Sequence, residues 1–336
     1  MSSSPLLTVG MPVYNADRFL RKALDSILNQ TFDNFELIIS DNASTDHTED
    51  ICREYAAHDR RVRYSRNAEN MGAGWNFCRV YSLARGEYYK QAAHDDFCEP
   101  RFFETCIRAL TDDPGLTVAF TKVRVVDVNG QFIEDYECAM HLSDEDPVVR
   151  FTDLILVGHR CFPIFGIHRM SALRQLPPQG SFAHADRILL AQLGLLGRFY
   201  ESPERLFIST KHDNQSVWTM PPRTMSKKFR LTRKPGTLPN IEWWNPGKSN
   251  AIVFPEWNAL RRHCQSIHNS PLTSYGKLRA YAVMLRWIAN YRRRLLGDVV
   301  LAADQILWNW QSVRAAAKAT YGDEEIATQV QGGKTL

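Results

Sequence analysis

Short apolar runs of strand length alternate with amphipathic, helix-spaced stretches through about the first hundred residues, and this alternation admits few folds. Leu6 to Val13 is the first such run. Ala16 to Asn29 follows, with Phe19, Leu20, Ala23, Leu24, Ile27 and Leu28 on one side, the spacing of a helix. Phe35 to Ser40 (FELIIS) is a second buried run, stopped by the turn-forming cluster Asp41-Asn-Ala-Ser-Thr-Asp46. The pattern then predicts a helix over His47–His58, a strand over Arg61–Ser65, a helix opening at Met71-Gly-Ala-Gly-Trp75, and a strand over Glu87–Ala92 that runs into His94-Asp95-Asp96. Such βαβα order predicts the α/β class, with a mostly parallel twisted sheet flanked by helices.

Strand character continues through LTVAFTKVRVVD from Leu116, with a turn at Asn129-Gly130, and becomes irregular after Asp135. A Leu-rich helix is predicted over Ala185–Leu196, ended by Gly197. Residues 219–250 hold five prolines and the basic run Lys227, Lys228, Arg230, Arg233, Lys234, which read as a linker or lid loop. Two further helices are predicted, over Tyr275–Leu296 and Val299–Thr320. The expected division is a catalytic α/β domain over 1–218, the basic linker over 219–250, a helical C-terminal region over 251–321 and a disordered tail over 322–336.

Charge separates these parts. Residues 1–218 carry 23 basic and 30 acidic side chains, and residues 219–336 carry 18 and 7. A basic face beside an apolar stripe in the 275–296 helix predicts peripheral contact with an anionic membrane surface. No nucleic-acid-binding motif accompanies it, so nucleic acid is not an expected partner. No stretch approaches the ~18–20 apolar residues of a spanning helix, which disfavours a processive synthase that threads its product through the membrane. The N-terminus lacks the pattern of a secretory signal. Seven scattered cysteines without a C-x-x-C fit a reducing cytoplasm rather than a disulfide framework or zinc site.

Three acidic sites fall beyond the carboxyl ends of predicted strands or at a helix start, where open α/β sheets bind ligands: Asp41, the pair Asp95-Asp96, and Asp186. At ~4 Å, like charges repel by a few kcal/mol even at an effective dielectric near 20. A hard divalent cation, Mg²⁺ or Mn²⁺, relieves that repulsion and brings with it a diphosphate ligand. The plainer alternatives are a solvated turn for Asp95-Asp96, an Asx turn for Asp41 and a first-turn helix acid for Asp186. Gly72-Ala-Gly74 lacks the third small residue of a dinucleotide fingerprint, because Phe77 stands there.

Thr8-Val-Gly-Met-Pro-Val-Tyr-Asn15, Ser26-Ile-Leu-Asn-Gln-Thr-Phe32, Glu36 through Asp46, and Gly86-Glu-Tyr-Tyr followed by Ala93-His-Asp-Asp96 together resemble the signature of family 2 glycosyltransferases. The resemblance covers about residues 6–218 and implies a GT-A fold and transfer of a sugar from a nucleotide-diphosphate donor. It implies that Pro12 and Tyr14 border the base, that Asp41 accepts from the N3–H of uracil or thymine, and that Asp95 sits at the ribose or metal. Asp96 would be the main metal ligand and Asp186 the catalytic base. His212 falls where the family places a basic group near the diphosphate, and Lys227 and Lys228 would reach it from the lid. Ala93 departs from the family's Asp-x-Asp-Asp pattern, which removes one acidic contact. The reading is a metal-dependent, inverting transferase acting on a UDP- or dTDP-sugar and a glycan or lipid-linked acceptor in surface polysaccharide synthesis. It would work in the cytoplasm or at the inner face of the membrane. The alternative from a different class is a nucleotide-sugar-binding scaffold with a degenerate site, motivated by Ala93.

Overall fold

The computed structural model describes residues 4–178, 180–213, 241–248 and 251–331, without the side chains of 241–242, 248, 308–309 and 311–331. Lys227, Lys228 and the expected lid lie outside the described residues. The elements at the start of the chain follow the sequence pattern closely: β1 (Leu7–Val13), α1 (Asp17–Leu28), β2 (Phe35–Asp41), α2 (Thr48–His58), β3 (Val62–Arg66), α3 (Ala73–Ser82) and β4 (Tyr88–Gln91). Then come β5 (Phe97–Cys98), α4 (Phe102–Asp112), β6 (Leu116–Val126), β7 (Phe132–Tyr136), α5 (Pro147–Leu156), a 3₁₀ turn at Phe162–Phe165, β8 (Ile167–Arg169), α6 (Met170–Leu173), α7 (Ala185–Leu196) and β9 (Arg198–Thr210). Helices α8 (Ile241–Trp244), α9 (Pro255–Asn269) and α10 (Ser274–Gln331) complete the chain.

All but β7 of the strands lie along one path, β3-β2-β1-β4-β8-β6-β9-β5, and β7 pairs with β6. The β3-β2-β1-β4 part is parallel, as expected. Beyond β4 the sheet is mixed, because β8 runs antiparallel to both β4 and β6. β9 is a long strand whose Tyr200-Glu-Ser-Pro-Glu204 stretch carries no clean alternation. Register shifts in its pairing with β6 absorb the irregularity.

Each face of the sheet carries a core. Leu7, Val9, Leu20, Leu24, Leu37 and Phe103 belong to one; Phe151, Leu190, Leu193 and Phe199 belong to the other. Tyr88 and Tyr89, adjacent in β4, enter opposite cores, as strand alternation requires. The C-terminal helices share the second core through Ala259, Ile267, Ala280, Met284 and Trp287, so this region is packed onto the α/β body.

The two expected helices over 275–320 are one continuous helix. The helix runs unbroken through Leu296-Gly-Asp-Val299, where the two expected helices divide, and Asp298 in that stretch caps another helix. Its buried Oδ2 accepts the Glu256 and Trp257 backbone N–H groups at 2.6 and 3.2 Å, filling donors at the start of α9 that have no partner within that helix.

Candidate active site

Strand register assembles the acidic edge. Gly10 in β1 faces Gln91, the last residue of β4, and Val13 faces Asp41, the last residue of β2. The Ala92–Asp96 loop therefore emerges beside half-buried Pro12 and the 44% exposed Tyr14. Phe97 then pairs with Ile208, which pins the acidic pair against the end of β9. The Thr210 backbone N–H donates to Asp96 Oδ1 at 2.9 Å. His212 Nε2 is 2.8 Å from Asp95 Oδ2, and its buried ring packs 4.9 Å from that of Phe19.

The two carboxylates titrate in opposite directions. Burial pushes Asp95 up, but the His212 hydrogen bond and the nearby His94 outweigh it and hold Asp95 below the ordinary carboxylate range. Asp96 is pushed well above that range, first by burial and then by the charge of Asp95. The Thr210 N–H, the Ser209 hydroxyl and Lys90 only partly offset this. Two close carboxylates with too little positive charge divide the protonation between them in this way.

Lys90 is a residue that sequence reasoning missed. It is 1% exposed, its ammonium donates to the Phe165 carbonyl, and the Phe102 and Phe207 rings lie 4.6 and 5.3 Å away. The signal available was a charge inside the run Tyr88-Tyr-Lys-Gln91, since a buried Lys in a central strand needs a partner. Ser209 and Thr210 were missed because β9 itself was not legible.

Asp41 is fully buried and fully engaged. Oδ1 accepts from the backbone N–H and hydroxyl of Ser44 at 2.9 and 2.6 Å. Oδ2 accepts from the Tyr64 hydroxyl and Arg66 at 3.0 and 2.9 Å. Those four donors use the acceptor sites a carboxylate has. Arg66 also pairs with Glu49 at 3.1 Å, a partner that would hold it if it released Asp41. Nearby, Asn42, Asn67, Asn70 and Asn76 form a side-chain amide network that ties the start of α3 to the ends of β1 and β2. At that helix start Gly72 has φ +85, and a Cβ there would meet the Trp244 carbonyl at 2.4 Å, so α8 closes onto this edge only with glycine.

Asp186 lies in the first turn of α7, and its Oδ1 accepts the Arg187 backbone N–H at 2.8 Å. Buried Cys161 lies beside it, its thiol pushed well up first by burial and then by the Asp186 charge. Cys161 begins the Phe162–Phe165 turn, and the far end of that turn supplies the carbonyl that receives Lys90. One four-residue turn thus links the Asp186 environment to Lys90, whose charge is felt at Asp96. At ~2 Å per residue it spans roughly 8 Å.

Among the described residues no three His, Cys, Asp or Glu side chains form a ready-made cation cage. The donor chemistry nonetheless fits a hard divalent ion. Mg²⁺-type sites use one or two carboxylates and draw their remaining ligands from substrate phosphates and water. The repulsion between the half-buried Asp95 and Asp96 carboxylates, when both are ionised, is the kind that such an ion relieves.

The mixed sheet, its strand-end carboxylates and its flanking helices define an α/β domain of the GT-A type. Residues 8–173 match the family model described as glycosyl transferase family 2, and this chain belongs to that family. It is 34% identical over 131 residues to the Escherichia coli protein named chondroitin synthase, covering 39% of this chain and 19% of that protein. It is 34% identical over 102 residues to glycosyltransferase GlyG of Streptococcus pneumoniae, covering 30% and 34%. The chain thus spans about a third or less of the length of these relatives. The structure of S. aureus TarS 1–349 in complex with UDP-GlcNAc superposes with a TM-score of 0.51 at 17% identity, covering 85% of this chain and 91% of that one. At that identity the likeness is one of fold.

Proposed function

We propose that the chain is a metal-dependent, inverting glycosyltransferase that moves a sugar from a UDP- or dTDP-sugar to a hydroxyl of a glycan or lipid-linked acceptor in surface polysaccharide synthesis. The observation that carries this reading is the half-buried Asp95–Asp96 pair beyond the end of β4, with His212 on one carboxylate and too little positive charge around the other. Asp96 and Asp95 would hold a divalent ion, Mg²⁺ or Mn²⁺, which would supply Lewis-acid stabilisation of the departing diphosphate.

The protein's own groups do the rest. Pro12 and Tyr14 border the base. Asp41 meets the ring N–H when Arg66 moves across to Glu49. His212 holds Asp95 in place and lies near the diphosphate, and Lys227 and Lys228 of the 219–250 segment reach the same phosphates. Asp186 takes the proton of the acceptor hydroxyl as that oxygen attacks the anomeric carbon opposite the departing diphosphate. No covalent enzyme intermediate forms.

Helix α10 provides the contact with an anionic membrane. Leu278, Leu285, Leu296 and Leu307 are each at least half exposed and recur at helical spacing, with Arg286 and Arg293 on the neighbouring stripe. No described helix is long and apolar enough to cross a membrane. The working place proposed is the cytoplasmic face.

Calorimetric titration with UDP tests the site. Binding that requires Mn²⁺ and is lost in Asp96→Ala is the expected result. UDP binding indifferent to both EDTA and that substitution overturns the reading.

A further inference from the structure

Asp186 sits in a turn where the backbone is under strain. Among the described residues four other than glycine have positive φ: Asn15, Ala43, Cys161 and His184. His184, at φ 68 and ψ 16, is the last residue before α7, and Asp186 is two residues on. Cys161 lies beside Asp186. Left-handed backbone at a residue with a Cβ is unfavourable and persists only where its surroundings enforce it. Two of the four such residues thus adjoin one carboxylate.

Two contacts on this turn come from α9. Glu256, in the first turn of α9, is 2% exposed, and its Oε1 lies 3.5 Å from His184 Nε2. That nitrogen is buried and makes no hydrogen bond among the described residues, so the contact is electrostatic. Further along α9, the Arg262 guanidinium lies 4.6 Å from the centre of the Phe182 ring. His263, seven residues after Glu256, is buried where it feels the charges of both Glu256 and His184. Burial first holds it down at about 3, so it is neutral at pH 7. On the other side of the turn, Arg187 donates to the His159 carbonyl at 2.6 Å.

Glu256 is itself held in place, because Asp298 of α10 accepts its backbone N–H. A line of contacts therefore runs from α10 through α9 to the residue that opens α7. Neither Glu256 nor His184 lies within the 8–173 stretch that the family model covers. Backbone torsions at His184 set the direction of everything that follows in the first turn, so a shift there redirects the Asp186 carboxylate.

We propose that Glu256 is a positioning residue for the base: through His184 it sets the turn that opens α7 and so aims Asp186. The word base rests on the transferase reading; the contact and its effect on Asp186 do not.

The test uses the full chain with ¹³Cγ-labelled aspartate, in which the Asp186 resonance is the one lost in Asp186→Asn. Glu256→Ala and His184→Gly cut the contact from its two ends, and glycine accepts the left-handed turn without strain. Each is expected to move the Asp186 resonance. Ile267→Ala, also buried in α9, removes packing without touching the turn and should leave that resonance in place. With the UDP-sugar that a screen for Mn²⁺-dependent hydrolysis selects, both variants should lower kcat ~10-fold or more while KM for the donor stays within about twofold, as misaiming a base does. The double variant should be no slower than the slower single one, since both remove one contact. Glu256→Gln, which keeps the length and one acceptor oxygen, should recover most of the rate.

An Asp186 resonance that stays in place in both variants, or moves equally in Ile267→Ala, overturns the proposal. So do losses in kcat that multiply in the double variant. Mn²⁺-dependent UDP binding on the same samples separates the two ideas. A moved Asp186 resonance in a chain that does not bind UDP keeps the contact while the transferase reading falls. UDP binding with an unmoved resonance does the opposite.

Discussion

His212 Nε2 lies 2.8 Å from Asp95 Oδ2, across 117 residues of sequence. The contact keeps Asp95 ionised, and the Asp95 charge in turn burdens Asp96. His212→Ala removes the group that orients Asp95. It should weaken Mn²⁺-dependent UDP binding by ~10–100-fold, the usual effect of losing a group that orients a metal ligand. Calorimetry at fixed Mn²⁺ measures it, and an unchanged affinity would make His212 a purely structural contact.

Asp186→Asn keeps the shape of the first turn of α7 and removes the base. Transfer should fall by ~10²–10⁴-fold, while UDP binding stays within about twofold. A radiolabelled donor assay alongside the titration separates the two effects; full transfer activity would remove Asp186 from the role of base.

Asp298 caps α9 from the middle of α10, so Asp298→Ala should cost about 2 kcal/mol, or roughly 4–8 °C in Tm. Asp298→Asn retains an acceptor oxygen and should lose less. Scanning calorimetry of the three proteins checks the order, and an unchanged Tm in the Ala variant would remove the cap from the stability of the fold.

Buried His168 and His159 are each held at about 4, and His263 at about 3, burial being the first cause in all three. Near pH 6.5 and below, the unfolded chain takes up these protons before the folded one does. Stability therefore falls as pH drops from about 6.5 towards about 4, by up to roughly 3 kcal/mol for each imidazole. Urea midpoints at pH 7 and pH 5 should differ clearly, the pH 5 value being lower. Equal midpoints would mean that the rings are hydrated in the fold.

The apolar stripe of α10 should carry the chain onto anionic vesicles at low salt. Leu285→Glu, at a position 69% exposed, should cut co-sedimentation severalfold without lowering Tm. Equal sedimentation of the two proteins, or none of either, would end the membrane assignment.

Much of this molecule is legible in order along the chain. Alternation of period 2 and period 3.6 marks β1 to β4 with their helices, because each element buries one face and its side chains repeat at its own pitch. The acidic residues at Asp41 and Asp95-Asp96 stand out because apolar runs stop at them. β9 escaped, since its Pro203 and charged neighbours break the alternation, and the β8 reversal that mixes the sheet leaves no mark in a three-residue strand. Local pattern thus determined the class of fold, the strand ends and the acidic candidates. Tertiary structure alone decided that His212 meets Asp95, that Lys90 lies buried on the Phe165 carbonyl, that Asp41 is filled by Ser44, Tyr64 and Arg66, and that Asp298 continues one helix while capping another. The physical reason is that secondary structure answers to neighbours a few residues away. A buried charge answers to whatever partner the packed chain brings within hydrogen-bond reach, however distant in sequence.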